Sequence, residues 1–406
     1  MPEKTLVLNN CGVVDPASID SYLARDGFKA LARARTMSPE GVIEVVKDSR
    51  LLGRGGAGFA AGLKWDLARR REGAEKFVIC NADEGEMGTF KDRFIIQKDP
   101  FGLIEAIVIA CYAVGASKAY IYLRSEYAYL KAGLTGTIRS AAERGYPGGI
   151  SIQVALGAGA YVCGEETALM NSIEGRRGEA RYKPPFPPEA GLWGTPTLIH
   201  NVETLLNIPS ILLKGAEWFR GIGTPGSKGT KVFSVSGDVA RPGVYELEMG
   251  STLSELLALA GARDVKMVQV GGAAGRMIPV SQKDIPLCFE TVLGSGAVMV
   301  YDQTRDVIDI VHRTMEFFAS ESCGKCTPCR EGTELMVEIT ERLSRAEGTV
   351  EDIAVLEDLS TTMTLASLCG LGQAAPLVVQ DTLTHFRKDY ETRIEQSRFL
   401  KAVRGR

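Results

Sequence analysis

Cys323, Cys326 and Cys329 stand two residues apart from one another in ESCGKCTPCREG, and Cys369 follows in SLCGLGQ. Soft thiolates suit zinc or iron–sulfur centres. Zinc sites usually take two separated Cys-x-x-Cys pairs or mix cysteine with histidine, and no histidine stands close to this run. Three ligands in a row plus one remote is the arithmetic of a [4Fe–4S] cube; a structural zinc and uncoordinated thiols are the alternatives. Gly324 is expected to help the turn and Pro328 to break the local backbone. Lys325 and Arg330 can offset the charge of the thiolates, although a solvated face explains them as well. The other cysteines, Cys11, Cys80, Cys111, Cys163 and Cys288, are scattered and read as small buried hydrophobes. A cube moves one electron at a time, so the rest of the chain must say where electrons enter.

Residues 53–65, GRGGAGFAAGLKW, put Gly53, Gly55, Gly56 and Gly58 ahead of a helix-compatible run that carries Lys64. Glycines permit sharp turns and close approach to a phosphate, at which a following helix can aim its amino end. The dinucleotide fingerprint is not in its usual setting here, and no GK[ST] closes a Walker A. A phosphate loop and a plain turn are equal readings. NADEGEMGTFKDR, with Asn81, Asp83, Glu84 and Glu86, follows the apolar run FVIC at 77–80. Polar residues at the carboxyl end of a strand often line a binding crevice in an α/β domain; a solvated acidic loop is the plain alternative. GAGAYVCGEETALM sets Glu165 and Glu166 at a helix start, where acidic residues stabilise the helix and capping suffices as a role. RYKPPFPPEAGLWGTP surrounds Phe186 with prolines, a rigid loop able to hold a ring for stacking. Asn201 precedes VETLLNI and is expected to cap that helix.

The elements that must carry these residues fit a chain of 406 residues, long enough for two or three domains. Apolar content of 45%, charged content of 24% and a net charge of -3 are ordinary for a globular protein. No basic patch argues for nucleic acid. The opening MPEKTLVLNNCG lacks the marks of a signal peptide. No apolar run reaches the roughly 18 residues of a membrane span, and IEAIVIACYAVGA reads as a buried helix. A cytoplasmic protein without a disulfide framework or direct membrane insertion is expected. Strands are expected at FVIC, KAYIYLR and SIQVALG. A change of composition after residue 225 introduces two strands, a helix, and strands at KMVQVGG and AVMVYD, with Gly271 and Gly272 as a turn. From residue 307 apolar residues recur every three or four positions in four successive runs. The last of these, APLVVQDTLTHFRKDYETRI, reads as one helix. His312 and His385 read as packing or surface residues rather than ligands.

Taken together, GRGGAGFAAGLKW, NADEGEMGTFKDR, GAYVCGEETALMNSIEGRRGEARYKPPFP, HNVETL, CGKCTPCREG and the late cysteine resemble the NADH-binding flavin subunit (51 kDa type) of respiratory NADH:quinone oxidoreductase. They equally resemble the diaphorase subunits of NAD-linked hydrogenases and formate dehydrogenases. The resemblance runs over nearly the whole chain. It implies a Rossmann-like α/β domain for FMN and NADH over 1–225, a β-grasp, SLBB-like domain over 226–306, and a helical [4Fe–4S] domain over 307–406. It places Gly53, Gly55, Gly56 and Lys64 around the FMN phosphate and ribityl chain, with Asn81, Asp83, Gly164, Glu165 and Asn201 completing the pocket. Arg54, Ala57, Gly58, Glu84, His200 and Thr204 join the same cofactor-binding set. Phe59, Glu86, Tyr161, Glu166, Lys183 and Phe186 match positions that contact NADH, and Glu86 and Glu166 are the implied tuning residues of hydride transfer. Cys323, Cys326, Cys329 and Cys369 match the cluster ligands. Two departures stand out: His200, where respiratory members commonly have asparagine, and Leu67, where some relatives offer an aromatic ring.

The implied function is hydride exchange between NADH/NAD+ and FMN, with single electrons passed to the [4Fe–4S] cluster and onward. The opening NNCGVVDPASIDSYLARDGFKALARA and the late SLCGLGQAAP are more similar to the hydrogenase, formate dehydrogenase and electron-bifurcating relatives. The implied partners are a small [2Fe–2S] thioredoxin-like subunit and a larger iron–sulfur or catalytic subunit of formate dehydrogenase or hydrogenase type. A respiratory NADH-dehydrogenase subunit and a non-catalytic iron–sulfur scaffold are the competing readings.

Overall fold

In the computed structural model, which describes residues 5–71 and 75–404, the front of the chain is built on four parallel strands. Residues 1–4 of the opening stretch, 72–74 and 405–406 lie outside the described residues. The strands are Phe77–Ala82 (β1), Lys118–Leu123 (β2), Ser151–Leu156 (β3) and Thr197–Asn201 (β4), in the order β3-β2-β1-β4. Strands covered on both faces read as continuous apolar runs, as β1 does in FVIC. The chain steps from β1 to β2 to β3 on one side, then returns to the other side of β1. That reversal parts the connections leaving β1 and β4, and it opens a crevice at their carboxyl ends. In register, Asn81 at the end of β1 lies opposite Asn201 at the end of β4.

Four helices precede β1: Ile19–Leu23 (α1), Lys29–Arg35 (α2), Pro39–Asp48 (α3) and Ala61–Arg70 (α4). Lys91–Lys98 (α5) and Pro100–Val114 (α6) connect β1 to β2, and Lys131–Glu143 (α7) connects β2 to β3. Glu166–Ile173 (α8) and Pro187–Ala190 (α9) lie before β4; Val202–Lys214 (α10) and Ala216–Arg220 (α11) follow it. The run IEAIVIACYAVGA lies in α6, which is buried almost all round and packs against α2, α3, α4, α7 and α10. Its one carboxylate, Glu105, is satisfied by Tyr22 Oη at 2.5 Å and by the Phe28 and Leu31 N–H groups at 2.9 Å.

The middle of the chain forms a mixed sheet, Thr230–Gly237 (β5), Gly243–Glu248 (β6), Val265–Val270 (β7), Arg276–Pro279 (β8) and Ala297–Asp302 (β9), with Leu253–Ala260 (α12) packed on it. Its order is β6-β5-β9-β7-β8. Strand β8 is absent from the sequence reading because four residues are too few to show alternation.

The remaining helices are Val307–Glu321 (α13), Thr327–Ser344 (α14), Val350–Ala366 (α15), Gly370–Ala374 (α16), Leu377–His385 (α17) and Arg387–Arg404 (α18). Two expectations are corrected here. Pro328 does not break the backbone: it lies in the first turn of α14, where its missing N–H costs nothing. The last run is two helices, because Phe386 leaves helical geometry at φ −131, ψ 28.

One apolar core joins the first and third regions. Phe77 and Ile79 of β1 and Leu169 and Met170 of α8 pack with Val311, Met315 and Phe318 of α13 and with Met336 and Met363. The helical region therefore covers one face of the parallel sheet and brings its cysteines to the front domain. Of the five scattered cysteines, four are buried, while Cys11 is only half-buried and so departs from the reading given above.

Candidate functional site

The glycine-rich segment lies at the mouth of the crevice. Leu52 bridges to Ala60, and the Gly53 N–H donates to the Phe59 carbonyl at 2.9 Å, closing residues 53–59 into a loop. Gly56 and Gly58 have φ of +130° and +67°, conformations that favour glycine. A Cβ on Gly55 would stand 3.1 Å from Asn201 Cβ, whereas one on Gly56 meets nothing within 4 Å. The backbone at 55–57, which includes Ala57, thus passes Asn201 closely and faces open space at Gly56. Arg54 points the other way. Its buried guanidinium donates to the carbonyls of Leu52 and Thr230 at 3.0 Å and to that of Lys228, and its backbone N–H donates to Thr204 Oγ1 at 2.8 Å. Arg54 and Thr204 therefore fasten the loop to α10 and β5.

At the end of β1, Asn81 Nδ2 donates to the Gly164 carbonyl (2.9 Å) and its Oδ1 accepts from the Asp83 N–H (3.1 Å). Asp83 Oδ2 is buried with no hydrogen-bond partner, and burial pushes its carboxyl up to about 7. Glu84 serves the start of α5, accepting from the Asp92 and Arg93 N–H groups at 2.7 and 3.0 Å and from Tyr127 Oη. Glu86 accepts from Tyr161 Oη at 2.8 Å and from the Ala274 N–H at 3.2 Å; burial pushes it up to about 7.

Glu165 caps α8 through the Thr167 and Ala168 N–H groups, at 2.8 and 3.0 Å. Its other oxygen pairs with Lys183 Nζ at 2.8 Å, and Glu166 pairs with both Lys64 (2.8 Å) and Lys183 (2.9 Å). These cations hold Glu166 down to about 2 against the effect of its burial. At the rim, Phe59 and Phe186 are each 50% exposed and Leu67 is 42% exposed, so three apolar faces are turned outward.

His200 is buried at the end of β4, where its Nε2 accepts from Trp65 Nε1 at 2.8 Å. Burial, with help from Lys64, pushes it down to about 3. Asn201 caps α10 through the Glu203 N–H (3.0 Å). Its Nδ2 donates to Asp92 Oδ2 (2.6 Å), and its Oδ1 accepts from Lys91 Nζ (3.2 Å). Lys91 also pairs with Asp92 (2.7 Å) and Glu203 (3.0 Å), and Glu203 pairs with Lys231 of β5 at 2.5 Å. Sequence reasoning singled out none of Lys91, Asp92, Glu203 and Lys231. The available signal was Lys231, a lysine at the start of an apolar strand.

Cys323, Cys326, Cys329 and Cys369 line one small cavity with Val162, Ala180, Ser322 and Lys325. Cys326 and Cys369 precede α14 and α16, and Cys329 lies in the first turn of α14. Polar groups face the sulfurs: Ser322 Oγ lies 3.4 Å from Cys329 Sγ, and the Leu368 N–H donates to Cys326 Sγ at 3.5 Å. Among the described residues no three side chains stand together as ligands of a single metal ion. Four thiols around one cavity, three from one run and one from a distant turn, fit a cube. Arg177 donates to the Cys323 carbonyl (2.7 Å) and Lys325 to the Ala180 carbonyl (2.7 Å) and Glu179 (3.1 Å), tying this loop to the front domain. Arg330 instead turns to the Gly324 carbonyl and Glu331. His312 bonds Thr340 and His385 is exposed, so both lie outside the cavity.

A single short segment separates the two sites. Gly164 is held by Asn81 of the crevice, and the Tyr161 N–H donates to Glu321 (2.8 Å), two residues before Cys323. The unpartnered Asp83 oxygen and the open side of Gly56 fit a hydroxylated, phosphate-bearing ligand in the crevice.

Residues 46–210 match the model for the Nuo51 FMN-binding domain, residues 232–280 that for the SLBB domain, and residues 309–393 that for the NADH-ubiquinone oxidoreductase-F iron-sulfur binding region. The chain is 42% identical over 414 residues to a subunit of the NADH-quinone oxidoreductase of Rhizobium meliloti (strain 1021), covering 97% of this chain and 98% of that one. It is 40% identical over 412 residues to the HndC subunit of the NADP-reducing hydrogenase of Solidesulfovibrio fructosivorans, covering 97% and 84% respectively. The structure of NAD+-reducing [NiFe]-hydrogenase in the air-oxidized state matches with a TM-score of 0.88 at 40% identity, over 96% of this chain and 67% of that one. The chain belongs to this family of flavin and iron–sulfur subunits: it is a diaphorase-type oxidoreductase subunit linking NADH and FMN to a [4Fe–4S] cluster.

Proposed function

We propose that the crevice between β1 and β4 holds FMN with NADH above it, and that the four cysteines hold the cluster that drains it. The observation that carries this reading is the segment 161–164, bonded to Asn81 on one side and to Glu321 on the other, so that the two sites adjoin. Gly53, Gly55 and Gly56 give the FMN phosphate and ribityl chain a backbone surface, and Lys64 supplies positive charge. Asn81, Asp83, Gly164, Glu165, Asn201 and Thr204 form or brace the pocket walls. Phe59 and Phe186 clasp the dinucleotide by stacking, with Lys183, Glu86, Glu166 and Tyr161 around its polar groups. When bound, FMN supplies the exchange between two-electron hydride chemistry and one-electron transfer; the protein supplies binding, orientation and electrostatics. Glu166, held as a carboxylate by two lysines, keeps this end of the pocket near neutrality. Glu86 is poised to be a hydrogen-bond donor or acceptor near neutral pH.

The assembly we favour is a hydrogenase or formate dehydrogenase type complex, with a small [2Fe–2S] thioredoxin-like subunit and a larger catalytic subunit. Among the described residues no helix is long and apolar enough to cross a membrane. A subunit exchanging electrons with the nicotinamide pool belongs beside it, in the cytoplasm. The test is anaerobic reconstitution with FMN, iron and sulfide, followed by NADH addition. Flavin absorbance should bleach and a reduced-cluster EPR signal should appear. Protein that holds flavin and cluster yet is not reduced by NADH would overturn this function.

A further inference from the structure

The turn joining β7 to β8 belongs to the β-grasp domain, yet it reaches out of that domain to Glu86. The Ala274 N–H donates to Glu86 Oε1 at 3.2 Å. Tyr161 Oη holds the other oxygen at 2.8 Å, so the carboxylate is gripped from two sides by two domains. Gly272 has φ +80°, and a Cβ built on it would lie 2.2 Å from Glu86 Cγ and 2.6 Å from Cδ. Glycine is thus required both by the backbone and by the contact. The turn carries no side chain longer than the methyl groups of Ala273 and Ala274; what it offers is a fixed seat for Glu86.

We propose that the turn at 271–275 is a positioning element for the dinucleotide site: by seating Glu86, the β-grasp domain sets affinity for nicotinamide dinucleotide without contacting it. This rests on the reading of Glu86 as a dinucleotide contact. Gly272→Ala drives the carboxylate off the Ala274 N–H. Glu86→Ala empties the space that the added methyl needs, so the two changes should not be independent.

The experiment uses the holoprotein with FMN and cluster in place. NAD+ dissociation constants are measured by calorimetry, and KM and kcat for NADH with ferricyanide, for the unaltered chain, G272A, E86A and the double variant. G272A is expected to raise the dissociation constant about tenfold, the scale of one lost charged hydrogen bond. KM should move more than kcat, with FMN content and the cluster EPR signal unchanged. On the E86A background the same change should shift the constant less than about twofold, the steric conflict being gone. An equal shift in both backgrounds, or none in G272A alone, overturns the proposal. If G272A does not fold, Glu86→Asp is compared with Tyr161→Phe. The shortened carboxylate loses both grips, so it should bind more weakly than Y161F, and equal binding overturns the proposal. Failure of the unaltered holoprotein to bind dinucleotide would instead overturn the functional reading on which this rests.

Discussion

His200 is a residue whose meaning changes once its neighbour is known. In the sequence it stands out only as a departure from asparagine. In the fold its Nε2 is an acceptor for Trp65, so the neutral ring carries its proton on Nδ1. Its folded pKa of about 3 lies below the usual histidine value. The stability this contributes is present above about pH 6.5 and is lost as pH falls toward 3. Denaturation at pH 5 and pH 7.5 should show the native protein losing about 2 kcal/mol more than His200→Asn over that interval. Asp83 has the opposite sign. Its folded pKa of about 7 lies above the unfolded value, so its contribution is full below about pH 4 and lost as pH rises through 7. Asp83→Asn should therefore stabilise flavin-free protein at pH 8, by up to about 4 kcal/mol, while lowering its flavin-to-protein ratio. Stability at pH 8 that is unchanged by this substitution would contradict the buried-carboxylate account.

Among the elements, α4 shows how the glycine loop is held at its working position. Gly62 faces α3 so closely that a Cβ would lie 2.5 Å from the Lys47 backbone. Gly62→Ala should cost about 1–3 kcal/mol by overpacking. Because Lys64 rides on the same turn, it should also reduce flavin retention, measured as bound FMN per chain alongside the denaturation midpoint. Seven of the nine strands among the described residues, all but β4 and β8, and the longer helices were legible as sequence because their signals are local: FVIC is an apolar run, Asn201 a cap, Gly324 a turn. The start of α14 was misread because a proline looks the same to the eye within a first helical turn and within a break. The division of α17 from α18 at Phe386 carries no glycine or proline to announce it.

For the whole molecule, the three regions are joined by buried and half-buried polar contacts as well as by a shared core. Lys231 of β5 meets Glu203 of α10, and Arg276 of β8 grips Asp381 of α17 at 2.6 Å, with the Met277 N–H on the same carboxylate at 2.9 Å. Asp381→Ala leaves that N–H and the guanidinium unpaired. Since Arg276 is half exposed, the cost should be nearer to about 2 kcal/mol than to the roughly 3–5 kcal/mol of a fully buried pair. Hydrogen exchange should rise in β8 and α17 and stay unchanged in β1 and β4; uniform loss of protection would mean that the contact does not act locally.

The amino-acid sequence by itself determined the chemistry within reach: thiolates spaced for a cluster, a glycine-rich run open to a phosphate loop or a plain turn, a strand ending in carboxylates. Covalent spacing and local backbone preference dictate such features, and neither needs a distant partner. Only the tertiary structure decided which charges are buried, that Arg54 serves the scaffold, that Lys91, Glu203 and Lys231 stand behind Asn201, and that a turn near residue 273 seats Glu86. Burial and contact between residues far apart in the chain arise from packing, and a charged residue looks the same in sequence whether water or a partner surrounds it.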